Sequence, residues 1–275
     1  MEIWKSIILG IVEGVTEFLP VSSTGHLTIT EKLLDLPVDD PAITGFTAVI
    51  QVGAIAAVFV YFWKDIARLT VAWARGLVSA EHRREFDYKF AWFVVAGSIP
   101  ILLIGFFAQN IITGPLRNLW WVAGALILWS VPMVFAEKVA SQTRGEKDLT
   151  LVDTLIIGTA QCIALVPGVS RSGATITVGL FRGLDRVTAT RLSFFLSIPA
   201  LTAAGIYELP EALSDSIGVL PLVVGTVVSF VVAYAAVAWL LRFVAHHSIV
   251  TFVWYRLALG GLLALALATG VLTAT

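Results

Sequence analysis

The sequence predicts an all-α integral membrane protein with six transmembrane helices and two re-entrant helical hairpins in an inverted-topology repeat. Its 275 residues are 58% hydrophobic and only 13% charged, about half the charged share of a soluble domain. Besides this composition, two features of the sequence support the prediction: six apolar runs, and two further apolar regions that are interrupted by polar residues. A single cysteine, Cys162, excludes a disulfide scaffold, and a net charge of −1 gives no general attraction to nucleic acid.

The six apolar runs each approach the roughly 20 residues that a helix needs to cross a hydrocarbon core of about 30 Å. The fourth run is short, and Arg256 interrupts the last run close to its start. The runs cover residues 43–63, 90–108, 118–136, 192–207, 216–241 and 249–272. We therefore predict six spanning helices within one polytopic domain, residues 1–275.

The two interrupted regions are residues 1–36 and 151–185. Each contains a helix-like half, a Pro/Ser/Gly break and a second half that is too short to cross the bilayer. Polar, irregular backbone is tolerated at membrane depth only where protein or a water-filled cavity surrounds it. Both regions are therefore predicted to be re-entrant hairpins, and the alternative is a pair of ordinary loops that resemble each other by composition.

The distribution of Lys and Arg predicts the orientation, because cytoplasmic loops are enriched in both. With the loop 64–89 in the cytoplasm, only Lys5, Lys32 and Arg117 fall outside, and Arg171 lies in the second interrupted region. The fourteen inner cations are Lys64, Arg68, Arg75, Arg83, Arg84, Lys89, Lys138, Arg144, Lys147, Arg182, Arg186, Arg191, Arg242 and Arg256. This bias predicts a multi-pass protein of the plasma membrane with both termini outside.

An internal repeat relates the two interrupted regions at a shift of 148 residues. The paired positions are Gly10 with Gly158, Glu13 with Gln161, Val21 with Val169, Ser22 with Ser170, Thr24 with Ser172 and Gly25 with Gly173. Each half, approximately 1–136 and 151–272, then has one broken hairpin followed by three spans. Because three is odd, the halves lie in opposite senses, and such inverted repeats place their site where the broken elements meet.

The first interrupted region carries two acids, Glu13 and Glu17, one helical turn apart. An acid at the bilayer centre costs about 2.5–3.5 kcal/mol, so a functional role is the default interpretation. Two carboxylates on one face could share a divalent cation, Mg²⁺ or Ca²⁺. The alternative is that this segment lies at the interface, where both acids are hydrated.

A cluster of hydroxyls and a histidine follows the acids. Ser22, Ser23 and Thr24 stand at the predicted start of the next helix, where free amide groups and hydroxyls suit an anion. His26 falls on the same helix face as Ser23, which nucleophile activation or leaving-group protonation would require. Taken singly, Ser22 and Ser23 are more often plain N-caps and a lone histidine is more often a satisfied polar residue, so the prediction rests on their conjunction.

The second interrupted region centres on Arg171, with Ser170, Ser172 and Thr175 beside it. A guanidinium group stays charged and binds phosphate oxygens through two parallel hydrogen bonds, so this segment is predicted to bind phosphate. The alternative is that Arg171 only neutralises Glu13 or Glu17, which leaves the surrounding hydroxyls unexplained.

Acids for a cation, an arginine, hydroxyls and a histidine together suit phosphoryl transfer, and a site within the membrane predicts a lipid phosphate as substrate. Inverted repeats with broken helices also build secondary transporters, so a transporter that moves a lipid phosphate between leaflets stays open as the alternative. A purely structural scaffold leaves the polar residues unexplained.

The stretches EGVTEFLPVSSTGH (13–26) and PGVSRSGAT (167–175) closely resemble the motifs of the undecaprenyl-diphosphate phosphatase family, known also as the bacitracin-resistance proteins. The similarity extends over essentially the whole chain and includes Gln51. It implies a membrane enzyme that hydrolyses undecaprenyl diphosphate to undecaprenyl phosphate and inorganic phosphate, recycling the lipid carrier for cell-wall synthesis. It also implies dependence on Mg²⁺ or Ca²⁺ and a site reached from the outer face.

The resemblance also implies roles for individual residues. By motif position, the acidic and Ser/His elements are Glu13, Glu17, Ser22, Ser23 and His26, and the phosphate-binding element is Ser170, Arg171, Ser172 and Thr175. The expected mechanism has Ser23 attack phosphorus and His26 move the proton, while direct attack by His26 or by metal-bound water stays open. The preferred cation, the prenyl chain length and the formation of a homo-oligomer also stay open.

Overall fold

The protein is entirely helical in the part that the computed structural model describes, residues 1–38, 40–108, 118–212 and 217–274. Eleven α-helices and no β-strand lie within these ranges. In chain order they are α1 (Ile3–Thr16), α2 (Ser23–Leu33), α3 (Pro41–Tyr61), α4 (Trp63–Val78), α5 (Phe86–Phe107), α6 (Leu119–Val139), α7 (Leu151–Ala160), α8 (Arg171–Phe181), α9 (Arg186–Ala212), α10 (Val219–His246) and α11 (Val250–Ala268).

Six of these helices are long and apolar enough to cross a membrane: α3, α5, α6, α9, α10 and α11. Each coincides with one of the six predicted runs, so the prediction of six spans is confirmed at the level of length and composition. Polar caps set where two of them begin. Asp40 accepts a hydrogen bond from the Ala42 amide ahead of α3, and Asn118 does the same for the Trp120 amide of α6.

The two interrupted regions form two pairs of short helices, α1 with α2 and α7 with α8. None of the four exceeds 14 residues, which is too short to cross the hydrocarbon core. We call the connections 17–22 and 161–170 the first break and the second break. Small residues seat α1 on α10: a Cβ added at Gly10 would lie 2.6 Å from the Gly225 carbonyl oxygen. This close approach fixes the position of the first break.

Ion pairs join several of the cations that were predicted at the inner face. Asp153, in the first turn of α7 and outside the six spans, is fully buried and binds both Arg144 and Arg182. Burial raises the pKa of the Asp153 carboxyl, but hydrogen bonds from Arg144, Thr150 and Arg182 outweigh it and hold this pKa well below its usual range. Arg191 binds a second pair of acids, one of which is Glu146 at 3.0 Å.

One cation of the predicted inner set was placed wrongly. Arg256 has no exposed surface and lies inside the helical bundle, in contact with both breaks. The positive-inside rule counts charges along the sequence and has no information on burial, so it grouped Arg256 with the surface cations. Arg117, predicted on the outer side, lies outside the described residues.

Candidate active site

The two breaks meet through matching serine caps. Ser22 and Ser170 precede α2 and α8, and each has a left-handed backbone, with φ of 76° and 77°. Such a conformation is uncommon for a residue with a Cβ and persists only where the surroundings impose it. The Ser22 hydroxyl accepts hydrogen bonds from the Gly25 amide and, at 3.0 Å, from the Gly168 amide of the other break. One side chain therefore caps a helix and joins the two breaks.

Hydroxyls at the start of α8 make a second contact between the two interrupted regions. Ser172 donates a hydrogen bond of 2.9 Å to the Leu19 carbonyl, and Ser170 lies 3.1 Å from Ser172. Gly168 has a φ of +99°, and a Cβ there would lie 2.5 Å from the Val122 carbonyl oxygen. Only glycine fits this position without displacing α6.

Arg256 of α11 binds both breaks from a third side. Its guanidinium group donates to the carbonyls of Pro20 (3.2 Å), Val169 (3.0 Å) and Gly168 (2.9 Å). Two further bonds reach α6, at the Ala125 carbonyl and the Ser130 hydroxyl. A buried charge in a membrane helix is costly and marks function. The position of Arg256 within an otherwise apolar run was therefore the feature of the sequence that could have indicated a buried contact.

A carboxylate, a hydroxyl and a guanidinium group form the centre of the site. Glu17, at the end of α1, accepts a hydrogen bond of 2.5 Å from the Ser23 hydroxyl through one oxygen. The other Glu17 oxygen accepts a hydrogen bond of 3.0 Å from Arg171. Glu17 is only 6% exposed. The structure thus brings together three of the four predicted catalytic residues, from α1, α2 and α8.

Four polar atoms of this centre make no hydrogen bond within the protein. Both carboxylate oxygens of Glu13 are buried without a hydrogen bond, and so are Nε and Nη1 of Arg171. Pairing with Glu17 therefore accounts for only part of the Arg171 guanidinium group. Buried polar groups are normally satisfied, and exceptions ask for an explanation. An unpartnered carboxylate suits a cation, and the two free guanidinium nitrogens suit an anion.

His26 binds a residue that no sequence motif indicated. Its Nδ1 lies 2.7 Å from the Ser22 carbonyl and its Nε2 lies 2.6 Å from the Tyr255 hydroxyl. A carbonyl only accepts, so Nδ1 carries the proton and Nε2 of the neutral ring accepts from Tyr255. The Ser23 hydroxyl binds Glu17 instead, so the structure does not join His26 to Ser23.

The hydroxyls predicted to bind diphosphate divide into two groups. Ser22, Ser170, Ser172 and Thr175 are at most 6% exposed and have protein partners. Thr175, for example, donates a bond of 2.7 Å to Ser193 of α9. Thr24 is exposed and faces a cavity. In this arrangement Ser22, Ser170 and Ser172 join the two interrupted regions, and Thr175 joins α8 to α9. The role of all four in diphosphate binding stays a prediction.

The cavity beside the centre has a volume of about 240 Å³ and is lined by both polar and apolar side chains, most of them from α1, α2 and α3. Glu13, Ser23 and Thr24 border it on one side and Gln51 on the other. Glu31 of α2, which the sequence interpretation did not single out, also lines it. The cavity offers space for a polar group next to the Ser23 hydroxyl and the Glu13 carboxylate.

Six apolar helices around a buried centre of carboxylates, guanidinium groups and a serine define a multi-pass membrane protein with a site for a charged group. The sequence model described as bacitracin resistance protein BacA matches residues 6–262. The chain belongs to this family.

Close relatives carry a more specific name. The chain is 56% identical to "Undecaprenyl-diphosphatase 1" of Streptomyces avermitilis over 99% of both chains. It is 57% identical to "Undecaprenyl-diphosphatase 1" of Frankia alni, over 100% of this chain and 99% of the relative. The protein of that name in Streptomyces coelicolor is 58% identical, over 99% of this chain and 98% of the relative.

Proposed function

We propose that this protein is an undecaprenyl diphosphatase of the plasma membrane, which hydrolyses undecaprenyl diphosphate to undecaprenyl phosphate and inorganic phosphate. The observation that carries the proposal is the buried Glu17 carboxylate, which holds the Ser23 hydroxyl and the Arg171 guanidinium group on its two oxygens. The names of the relatives over the full length support it. The product is the lipid carrier that cell-wall synthesis reuses.

The proposal includes an architecture of two re-entrant hairpins in an inverted repeat. Support comes from the short helices α1, α2, α7 and α8 and from the identical N-cap roles of Ser22 and Ser170. The excess of cations on one side supports an orientation with both termini outside, and the family resemblance supports a site that is reached from the outer face. Cysteine accessibility labelling at Lys5→Cys and Lys147→Cys in intact cells tests this orientation, since only the first should react with an impermeant reagent.

In the proposed reaction the Ser23 hydroxyl oxygen attacks the terminal phosphorus of the diphosphate. Its proton passes to the Glu17 oxygen that already accepts its hydrogen bond at 2.5 Å. The bond between phosphorus and the bridging oxygen breaks, and undecaprenyl phosphate leaves with the electron pair. Water then hydrolyses the phosphoserine and releases inorganic phosphate. His26, bonded to Tyr255, is placed to exchange a proton at Nε2.

Arg171 is the proposed phosphate clamp. Its Nη2 is bound to Glu17, while its unpartnered Nε and Nη1 are free to donate to phosphate oxygens. The ring of Phe18 lies 5.8 Å from the guanidinium carbon and supports its orientation. Thr24, with Ser22, Ser170, Ser172 and Thr175, completes the proposed diphosphate-binding set.

Glu13 and Glu17 are the proposed ligands of a divalent cation, Mg²⁺ or Ca²⁺. The unpartnered, buried oxygens of Glu13 fit this role. Among the described residues no group of three or more His, Cys, Asp or Glu could hold a metal, which agrees with the way Mg²⁺ takes one or two carboxylates and completes its shell with phosphate and water. When bound, the cation would neutralise charge that develops on the phosphoryl oxygens.

Phosphate release from undecaprenyl diphosphate by the purified protein in detergent tests the proposal. Release should depend on a divalent cation, fall strongly in Glu17→Gln, and be unaffected by Glu81→Gln, an acid on the exposed connection between α4 and α5. Lipid movement between leaflets without phosphate release would support the transporter instead. Recovery of ³²P on Ser23 after a rapid quench would identify the nucleophile, whereas label on His26, or no label, would favour the two other mechanisms.

A further inference from the structure

An apolar groove follows the side of α6 next to the second break. Its volume is about 480 Å³. We call it the tryptophan groove and define it by Trp120, Trp121, Gly124 and Leu128 of α6 with Val166 and Val169 of the break. Trp121 and Leu128 are more than half exposed. The groove is therefore open along one side and lined almost entirely by apolar surface.

The groove lies directly beside the polar centre. Val169 is two residues before Arg171, and its carbonyl is held by Arg256. Ala125 of the same α6 turn has its carbonyl on the same guanidinium group. Val169 of the second break therefore lines the groove two residues before Arg171, the first residue of α8.

The two cavities next to the centre differ in chemistry. The cavity with Glu13, Ser23 and Gln51 presents carboxylate, hydroxyl and amide groups among apolar side chains, whereas the tryptophan groove presents almost only aromatic rings and aliphatic side chains. A polyprenyl diphosphate has a charged end and an apolar chain joined by one covalent bond. A molecule whose diphosphate contacts Arg171 must therefore place the first part of its chain in apolar surroundings close to the break.

We infer that the tryptophan groove binds the isoprenoid chain of the substrate next to the diphosphate. The inference rests on the proposed function and extends it to a second binding region. Chain binding there comes from close packing, because lipid tails are as apolar as the groove and give little hydrophobic driving force. The polar cavity is left to admit water and release phosphate.

Gly124 allows the groove to be filled selectively. A Cβ added at Gly124 meets no atom within 4 Å, and the same is true of Gly105 on α5, which lies outside the groove. Gly124→Phe should raise the KM for undecaprenyl diphosphate about tenfold and leave dimethylallyl diphosphate, with its single isoprene unit, within about twofold. Gly105→Phe should change neither. Equal behaviour of the two variants, or an equal loss for both substrates, would overturn the inference.

Photo-crosslinking gives a readout that does not need turnover. A polyprenyl diphosphate with a photoreactive group in its first isoprene units should label peptides that contain residues 120–128 or 166–169. Unlabelled undecaprenyl diphosphate should suppress this labelling, and Gly124→Phe should lose it. Labelling elsewhere, or equal displacement by phospholipid, would mean that another lipid or surface is involved and would refute the inference. Labelling of the groove without phosphate release would contradict the phosphatase and leave the chain site supported.

Discussion

Replacing Arg256 with lysine tests whether α11 holds the two breaks together. The substitution keeps the charge but replaces five donors in a planar fork with three donors on one nitrogen. Arg256 makes five hydrogen bonds to acceptors on both breaks and on α6. A lysine can serve at most three of them, so at least two buried acceptors lose their donor.

The size of the effect follows from those two acceptors. A buried acceptor left without its donor costs about 1–3 kcal/mol, so Arg256→Lys should lower the free energy of unfolding by about 2–6 kcal/mol. In a domain of this size that corresponds to a fall in melting temperature of at least about 4 °C. Activity should fall further than stability alone explains, because Ser23 and Arg171 are attached to different breaks and their separation depends on this contact.

The measurements are thermal unfolding in detergent, followed by tryptophan fluorescence, and phosphate release at a temperature where the variant is folded. Arg242→Lys is the matched control, since Arg242 is exposed and surface substitutions stay within about 0.5 kcal/mol. If Arg256→Lys melts and turns over like Arg242→Lys, the guanidinium contacts do not set the distance between the breaks.

Three further variants probe other parts of the site and its surroundings. Arg171→Lys should lower kcat by about 100-fold or more, because an ammonium group cannot replace the two free guanidinium donors. A normal rate of phosphate release in this variant would contradict the proposal that Arg171 binds the phosphate. Tyr255→Phe should leave the melting temperature unchanged but alter the pH profile of kcat, because His26 Nε2 loses its partner; an unchanged profile would make that bond incidental. The lowered pKa of Asp153 stabilises the fold above the usual carboxyl pKa of about 4. Wild-type stability should therefore fall as the pH drops below that value. Asp153→Asn should be less stable at pH 7 and should lose less of its stability than the wild type between pH 7 and 3; parallel curves for the two proteins would contradict this assignment.

The six spans could be predicted from sequence because the bilayer imposes a length and an apolar composition on every crossing. The starts of α2 and α8 could be predicted as well, since Ser22 and Ser170 are good N-caps that follow a Pro/Gly break. These features are local. Each depends on residues within one or two helical turns of the position in question.

The contacts made by α11 are not local and escaped prediction. Tyr255 is separated from His26 by 229 positions, and nothing in the spacing of either residue indicates the other. The hydroxyls show a related limit. A serine at a helix start looks the same in sequence whether it caps a helix, binds another segment or binds a phosphate. Ser172, at the start of α8, donates a hydrogen bond to the Leu19 carbonyl of the first break.

The balance of charge around the centre links the cation to the substrate. With both carboxylates ionised, Glu13 and Glu17 carry two negative charges beside the single positive charge of Arg171. A diphosphate alone would add several more negative charges to this buried region, at a large desolvation cost. A divalent cation bound next to it would offset much of that charge. The cation and the diphosphate should therefore each raise the affinity for the other by the same factor, which favours their entry as a pair.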